Sequence, residues 1–201
     1  MKLSVVVQAG GESKRMGSNK ALLPFLGQPL IVRVIERIKP IAEEILITTN
    51  QPQDLTFLHL PLYSDILPGF GALGGLLTAL TVSTSPLTAV VACDMPFVSP
   101  ELLSYQAQLL EKEEWDAVIP KGEQGFEPFH GVFRTTTCRW AVQQVIDKGE
   151  KKVIAWFPLV RVRFVEGDDL NRFDPLGYIF MNVNTPGEFE TAERLAQTER
   201  D

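Results

Sequence analysis

Cysteine and histidine are nearly missing from this chain, with two of each in 201 residues. Cys93 and Cys138 are too few for a disulfide framework, and with His59 and His130 they show no zinc-ligand spacing. No stretch approaches the 18 apolar residues of a membrane span. The N-terminus is a short apolar strand pattern without the charged, apolar and small-residue order of a signal peptide. Positive charge is scarce as well. Nineteen Lys and Arg against 25 Asp and Glu leave a net charge of −6, which excludes a broad basic face for nucleic acid. Repeats, low-complexity tracts and linkers are absent. These absences describe a reduced, cytoplasmic, globular protein with no membrane or nucleic-acid partner. The length predicts a single domain over 1–201, large enough to bury about 70% of its unfolded surface without staples.

What the chain does have is alternation. Leu3 to Val7 is a compact, β-branched run that predicts a buried strand, and a Gly-rich loop follows it. Leu30 to Lys39 places Ile31, Val34, Ile35 and Ile38 on one helical face with Arg33, Glu36 and Arg37 opposite, and Pro40 stops the helix. Ile45 to Thr49 and Thr88 to Cys93 predict further strands, with a helix over Ala72 to Leu80 between them. Ser99-Pro100-Glu101 is a helix start, with Pro in the first turn after a capping hydroxyl. Ala117 to Pro120 and Pro128 to Arg134 predict strands flanking the polar loop Lys121 to Glu127, and Thr136 to Lys148 predicts a helix. Val160 to Val165 and Tyr178 to Met181 predict late strands. Thr185-Pro186-Gly187-Glu188 is a capping box that opens a last helix to about Gln197. Strands alternating with helices imply an α/β fold with a mostly parallel sheet covered on both faces. In such sheets ligands sit beyond the carboxyl ends of the strands, so chemistry is sought directly after each strand.

After the first strand come Gln8, Ala9, Gly10 and Gly11, then Lys14, Arg15 and Lys20, three cations within seven residues of an acidic chain. Glycines on both sides allow tight turns and free backbone N–H groups for an anion, as a triphosphate requires. The loop lacks G-x-G-x-x-G. Lys20 stands three residues beyond Gly17 rather than directly after it, so the loop is not a Walker A loop. An ordinary solvated loop is the plain alternative.

Asp94 follows the TAVVAC strand, where a carboxylate can hold Mg²⁺ with the help of substrate phosphates or simply cap the next turn. Pro68 to Gly75 packs four glycines into eight residues ahead of a helix, which suits close approach to a base or ribose as well as it suits a flexible turn. Asp65, just before it, is either a nucleotide contact or a solvated carboxylate. Asn182 and Asn184 would point the same way if the last strand persists. Thr185 reads as a helix cap, Lys151 and Lys152 as a solvated helix end, and His130 as a satisfied buried histidine.

These motifs in this order resemble the bacterial molybdenum cofactor guanylyltransferases of the MobA type over nearly the whole chain. QAGGESKRMGSNKALL, CDMPF and NVNTP stand where that family has its opening loop, its central Asp motif and its Asn pair. The resemblance implies a three-layer α/β/α sandwich of the nucleotidyltransferase type, the nucleotide-diphospho-sugar transferase fold. It implies transfer of GMP from GTP to Mo-molybdopterin with release of diphosphate and use of Mg²⁺. By position, Gln8, Ala9, Gly10, Lys20, Asp65 and Asp94 would contact GTP, together with Asn50 or Thr48. Arg15, Lys20 and Asp94 would be catalytic, Asp94 would bind the metal, and Asn182, Asn184 and Lys151 would lie on the pterin and phosphate side. Implied partners are GTP, Mo-molybdopterin and, transiently, other cofactor-biosynthesis proteins and molybdoenzyme chaperones. Gln8 departs from the family's usual Leu, and EPFHGVF departs from its commoner Gln-Pro or His-Pro start. The rival readings are a molybdopterin cytidylyltransferase, a sugar-phosphate nucleotidylyltransferase and a non-catalytic pterin-cofactor carrier.

Overall fold

A computed structural model describes residues 2–10 and 19–198. The first strand is β1, Leu3–Gln8, and its neighbours are β4 at Glu44–Thr48 and β6 at Leu87–Ala92, both parallel to it. β5, Leu62–Tyr63, extends the sheet beyond β4. On the other side lie β9, His130–Arg134, then β7, Ala117–Gly122, then β10, Val162–Val165. The order across the sheet is β5-β4-β1-β6-β9-β7-β10, and a short strand β8, Gly125–Phe126, turns back on the end of β7. β9 runs antiparallel to both its neighbours, while β10 runs parallel to β7. Along the main path every strand but β9 therefore ends at the same edge, the one at which β9 begins.

Helices cover both faces, as the alternation implies. Residues of α1 (Leu30–Ile38), α3 (Pro100–Lys112) and α5 (Asp168–Asn171) share one buried cluster with Leu3, Val5 and Val7, α1 lying against β1 and α3 and α5 against β7. Those of α2 (Gly71–Val82) and α4 (Thr135–Ile146) share a second cluster with Val6, Leu46 and Val90, α2 lying against β4, β6 and β1 and α4 against α2 and β9. The alternating face assignment of β1 follows from the two-residue strand period. Burying both faces explains why β1 and β6 read as continuous apolar runs. A third cluster docks the last helix α6, Pro186–Thr198, through Ala192 and Ala196 onto Phe25, Leu30 and Phe97. Phe25 belongs to a small hairpin of β2 (Pro24–Phe25) and β3 (Gln28–Pro29).

Three expectations change. Tyr178 to Met181 is not a strand. Asp174 Oδ1 accepts from Tyr178 N at 2.9 Å and from Ile179 N at 3.3 Å, and Met181 N donates to Tyr178 O, so these backbone groups are spent on turns. Its apolar residues pack instead against the cores beside it. The polar loop Lys121 to Glu127 contains β8, and the strand expected from Pro128 starts at His130. Arg33 and Arg37 do not simply face solvent: their Nε atoms donate to Pro96 O at 2.9 Å and Val98 O at 2.8 Å, fixing the segment that follows Asp94. Among the described residues no helix is long and apolar enough to cross a membrane.

Candidate active site

Beyond the shared strand edge lies an open cleft of about 1450 Å³. Its floor begins where the ladder runs past the strand ends: Ala9 N donates to Thr48 O at 2.8 Å and Cys93 N to Gln8 O at 3.0 Å. These bonds hold Gln8 and Ala9 in the floor beside Gly10. Burial pushes the Cys93 thiol far up, so it stays protonated and is no nucleophile.

Lys20, Asp94 and Asn184, separated by scores of residues in sequence, meet in this cleft. Lys20 stands in a short 3₁₀ turn, Lys20–Leu22, capped by Asn19 Oδ1, which accepts from Ala21 N at 3.2 Å. Its Nζ lies 3.4 Å from Asp94 Oδ2 and donates to Asn184 Oδ1. Asp94 hangs just past β6, and its carbonyl accepts from Val183 N at 3.0 Å, which brings the Asn pair to the strand end. The capping box then fixes Asn184. Glu188 Oε2 accepts from Asn184 N at 2.8 Å and Thr185 N at 2.9 Å, while Thr185 Oγ1 accepts from Glu188 N. Those amides hold the Glu188 carboxyl below its ordinary range. Asn182 also lines the cleft.

Past β4, Asn50 and Asp65 pair reciprocally: Asn50 Nδ2 donates to Asp65 Oδ2 at 3.1 Å, and Asp65 N to Asn50 Oδ1 at 3.3 Å. Both line the cleft, whereas Thr48 is buried in the strand, so of the two alternatives it is Asn50 that faces the space. The start of α2 forms the adjoining wall. Gly69 and Gly71 adopt positive φ there, and among the described residues no side chain caps the helix, so first-turn N–H groups are open to a ligand acceptor. Gly69, Gly71 and Gly74 do stand at G-x-G-x-x-G spacing, a signal that the sequence offers away from the first loop.

Other expected residues fall differently. The Gln8 side chain leans on α2. A Cβ at Gly75 would lie 2.4 Å from its Nε2, which is buried without a partner among the described residues. Lys151 is not among the residues lining the cleft; its ammonium lies 5.8 Å from the Phe70 ring at the α2 start. Arg15 lies outside the described residues. His130 is fully buried, as expected, but only half satisfied: Nε2 accepts from Ser99 N at 3.0 Å, while Nδ1 has no partner among the described residues. Glu127 and Phe129 line the cleft as well; both belong to EPFHGVF, where the sequence shows a departure from the family's commoner start but assigns neither residue a role. Among the described residues no three His, Cys, Asp or Glu side chains cluster as a metal cage. Asp94, the carboxylate beside Lys20, faces a space large enough for phosphates and fits a Mg²⁺ that takes most of its ligands from substrate and water.

A strand-end cleft that brings Lys20 to Asp94 beside the glycine-rich start of α2 suits positioning of a nucleotide. The family model of the MobA-like NTP transferase domain matches residues 5–162. This chain belongs to the MobA-like NTP transferase family. It is therefore a nucleotidyltransferase. A protein of Pelotomaculum thermopropionicum named "Probable molybdenum cofactor guanylyltransferase" is 34% identical over 195 residues, 97% of this chain and 94% of that one. One of the same name from Carboxydothermus hydrogenoformans is 33% identical, covering 94% and 93%. The crystal structure of molybdopterin-guanine dinucleotide biosynthesis protein A from Archaeoglobus fulgidus superposes with a TM-score of 0.83 at 27% identity, covering 97% and 99%. A cytidylyltransferase for 2-C-methyl-D-erythritol 4-phosphate from Thermus thermophilus shares the fold at 21% identity, with a TM-score of 0.68 over 98% and 100%. The MobA-like match stops at residue 162, so Asn182 and Asn184 complete the cleft from outside the matched segment.

Proposed function

We propose that this nucleotidyltransferase moves GMP from GTP to the phosphate of Mo-molybdopterin and releases diphosphate. The observation that carries the reading is the meeting of Lys20, Asp94 and Asn184 at the end of β6, between the Asn50–Asp65 side and the β9 side of one cleft. The names of the relatives over nearly the whole chain support guanine and molybdopterin as the substrates. The chemistry asks for no side-chain nucleophile. The acceptor phosphate oxygen bonds to the α-phosphorus of GTP as the bond from that phosphorus to the diphosphate breaks. The protein's task is to align two polyanions and to offset charge. Lys20 does this for the triphosphate, and its pairing with Asp94 and Asn184 aims it in advance. Asn50 and Asp65 face the nucleoside, and the α2 start offers N–H donors. Asn182 and Asn184 hold the acceptor phosphate side. Asp94 would hold Mg²⁺, which when bound supplies Lewis-acid charge neutralisation at the phosphates. A cytoplasmic setting accords with two free, buried cysteines.

The test is Asp94→Ala. It should lower GMP transfer by about 10³-fold, the scale of removing an electrostatic stabiliser, and leave the folded circular dichroism spectrum in place. Near-normal transfer by this variant would remove Asp94 from the site. Turnover of the wild-type protein with CTP in preference to GTP would assign it to the cytidylyl reaction instead.

A further inference from the structure

Besides Asp54, which accepts from Asn19 Nδ2 at 3.5 Å, the cleft holds one carboxyl group among the described residues that this scheme leaves unused. Glu127 stands in the turn before β9, and because β9 is antiparallel that turn reaches the same edge as the ends of β1, β4 and β6. Three backbone bonds clamp it. Glu127 N donates to Pro120 O at 2.9 Å, His130 N to Glu127 O at 3.0 Å, and Ala92 N to Phe129 O at 3.3 Å. Ala92 ends β6 two residues before Asp94, so Glu127 and Phe129 stand next to the Asp94 motif. The strand order puts them on the opposite side of Asp94 from Asn50 and Asp65.

The Glu127 side chain is half-buried, and burial alone pushes its carboxyl up to about 7, with no hydrogen bond or charge among the described residues to offset it. A desolvated carboxyl without a protein partner, in a cleft, is a mark of a ligand contact. It stands beside a site for two polyanions and would repel phosphate. Its complement is a ligand edge rich in N–H donors. A pterin has such an edge: the 2-amino group and the adjacent N3–H are parallel donors spaced to match the two oxygens of one carboxylate. We infer that Glu127 determines acceptor specificity by accepting hydrogen bonds from the 2-amino and N3–H edge of the pterin, with Phe129 beside it. The inference rests on the acceptor named above. Guanine carries a similar edge, but the Asn50 and Asp65 side of the cleft is the one assigned to the nucleotide.

The experiment compares the wild-type protein with Glu127→Gln and Glu127→Ala. The probes are fluorescent 6-hydroxymethylpterin and 6-hydroxymethyllumazine, which has an oxo group in place of the 2-amino group. Wild type should bind the pterin at least tenfold more tightly, and Glu127→Gln, isosteric with the native side chain, should bring the ratio near one. The GTP-over-ITP preference, which reports a 2-amino contact on the nucleotide side, should stay within twofold. The inference is overturned if the wild-type protein shows no pterin binding or no preference, or if both variants keep it. It is equally overturned if the GTP-over-ITP preference is what changes. A protein that discriminates the pteridines through Glu127 yet transfers no nucleotide to molybdopterin supports this inference and defeats the transfer reading.

Discussion

His130 shows how a single buried side chain sets a pH dependence. It lies at the start of β9 without solvent exposure, and its Nε2 takes the amide hydrogen of Ser99, the residue that caps α3 through its own hydroxyl at 3.1 Å from Leu102 N. Burial, helped by the charge of Arg37, lowers its pKa to about 4. The unfolded chain takes up the proton near pH 6.5 and the folded one only near 4. Stability is therefore full above 6.5 and falls as pH drops through that window, by roughly 3 kcal/mol in all. Glu127 acts with the opposite sign, since its raised folded pKa favours the folded state in acid and that contribution fades as pH rises through about 7. Urea unfolding of wild type against His130→Gln, at pH 4 to 7, separates them. The variant can still accept from Ser99 N, and it should lose the acid-side decline that belongs to His130. Parallel pH profiles for both proteins would refute the assignment. Residues of this kind differ in how readable they are. A histidine in an apolar run with no partner motif already reads as core. The Glu127 carboxyl does not read as anything, because its meaning comes from a turn brought to the cleft by a strand running backwards.

That reversal belongs to the scale of elements. The rule that ligands lie after the strands leads to Gln8 and Asp94, because β1 and β6 are parallel, apolar and flanked by clear helices, whereas Asn50, past β4, comes from the resemblance with Thr48 as its alternative. It fails at β9, whose antiparallel pairing with β6 puts the cleft before the strand, and no local feature of HGVFR announces its direction. It fails again at Tyr178 to Met181, where an apolar run is recruited by turns around Asp174. α2 carries the sharper packing constraint. Its residues from Leu73 to Leu80 are all buried, and Gly75 lies where the Gln8 amide leans against the helix. Alanine in a helix is normally worth about 1 kcal/mol over glycine. Here its methyl would meet the end of the Gln8 side chain, a flexible group at the edge of the open cleft that can swing aside at small cost. Gly75→Ala should thus stabilise the wild-type protein by less than it stabilises a Gln8→Ala protein. The coupling in this double-mutant cycle, read from denaturant midpoints, should be about 0.5 kcal/mol or more. A Gly75→Ala effect of the same sign and size in both backgrounds would show that the two residues do not press on each other.

At the scale of the whole molecule, the cleft is closed by a segment that comes last in the chain. The MobA-like match ends at 162, but Asn184 is a partner of Lys20, and Asn184 is held only if the C-terminal segment docks. Among the described residues, docking uses the ring pairs Phe25–Phe189 and Phe97–Tyr178 and a handful of further contacts. Val183 N bonds Asp94 O, Leu26 N bonds Glu193 Oε1 at 2.7 Å, and Val183, Ala192 and Ala196 fill one small cluster with Phe25, Leu30 and Phe97. The two large cores against the sheet do not include α6. A cluster of this size, apart from the main cores, is the kind of unit that opens locally before the rest unfolds. Ala192→Asp puts a carboxylate into it, at a cost on the order of 3–5 kcal/mol if it stays buried and unpaired. Undocking α6 relieves that cost and leaves the sheet whole. In hydrogen exchange, the α6 amides of the variant should lose protection while those of β1, β4 and β6 keep theirs. GTP binding should weaken along with them, because Lys20 loses the amide that aims it beside Asp94. If instead protection fell together across sheet and helix, the C-terminal segment would be part of one cooperative unit. The geometry of Lys20 would then depend on the stability of the entire fold and not on the docking of its last helix.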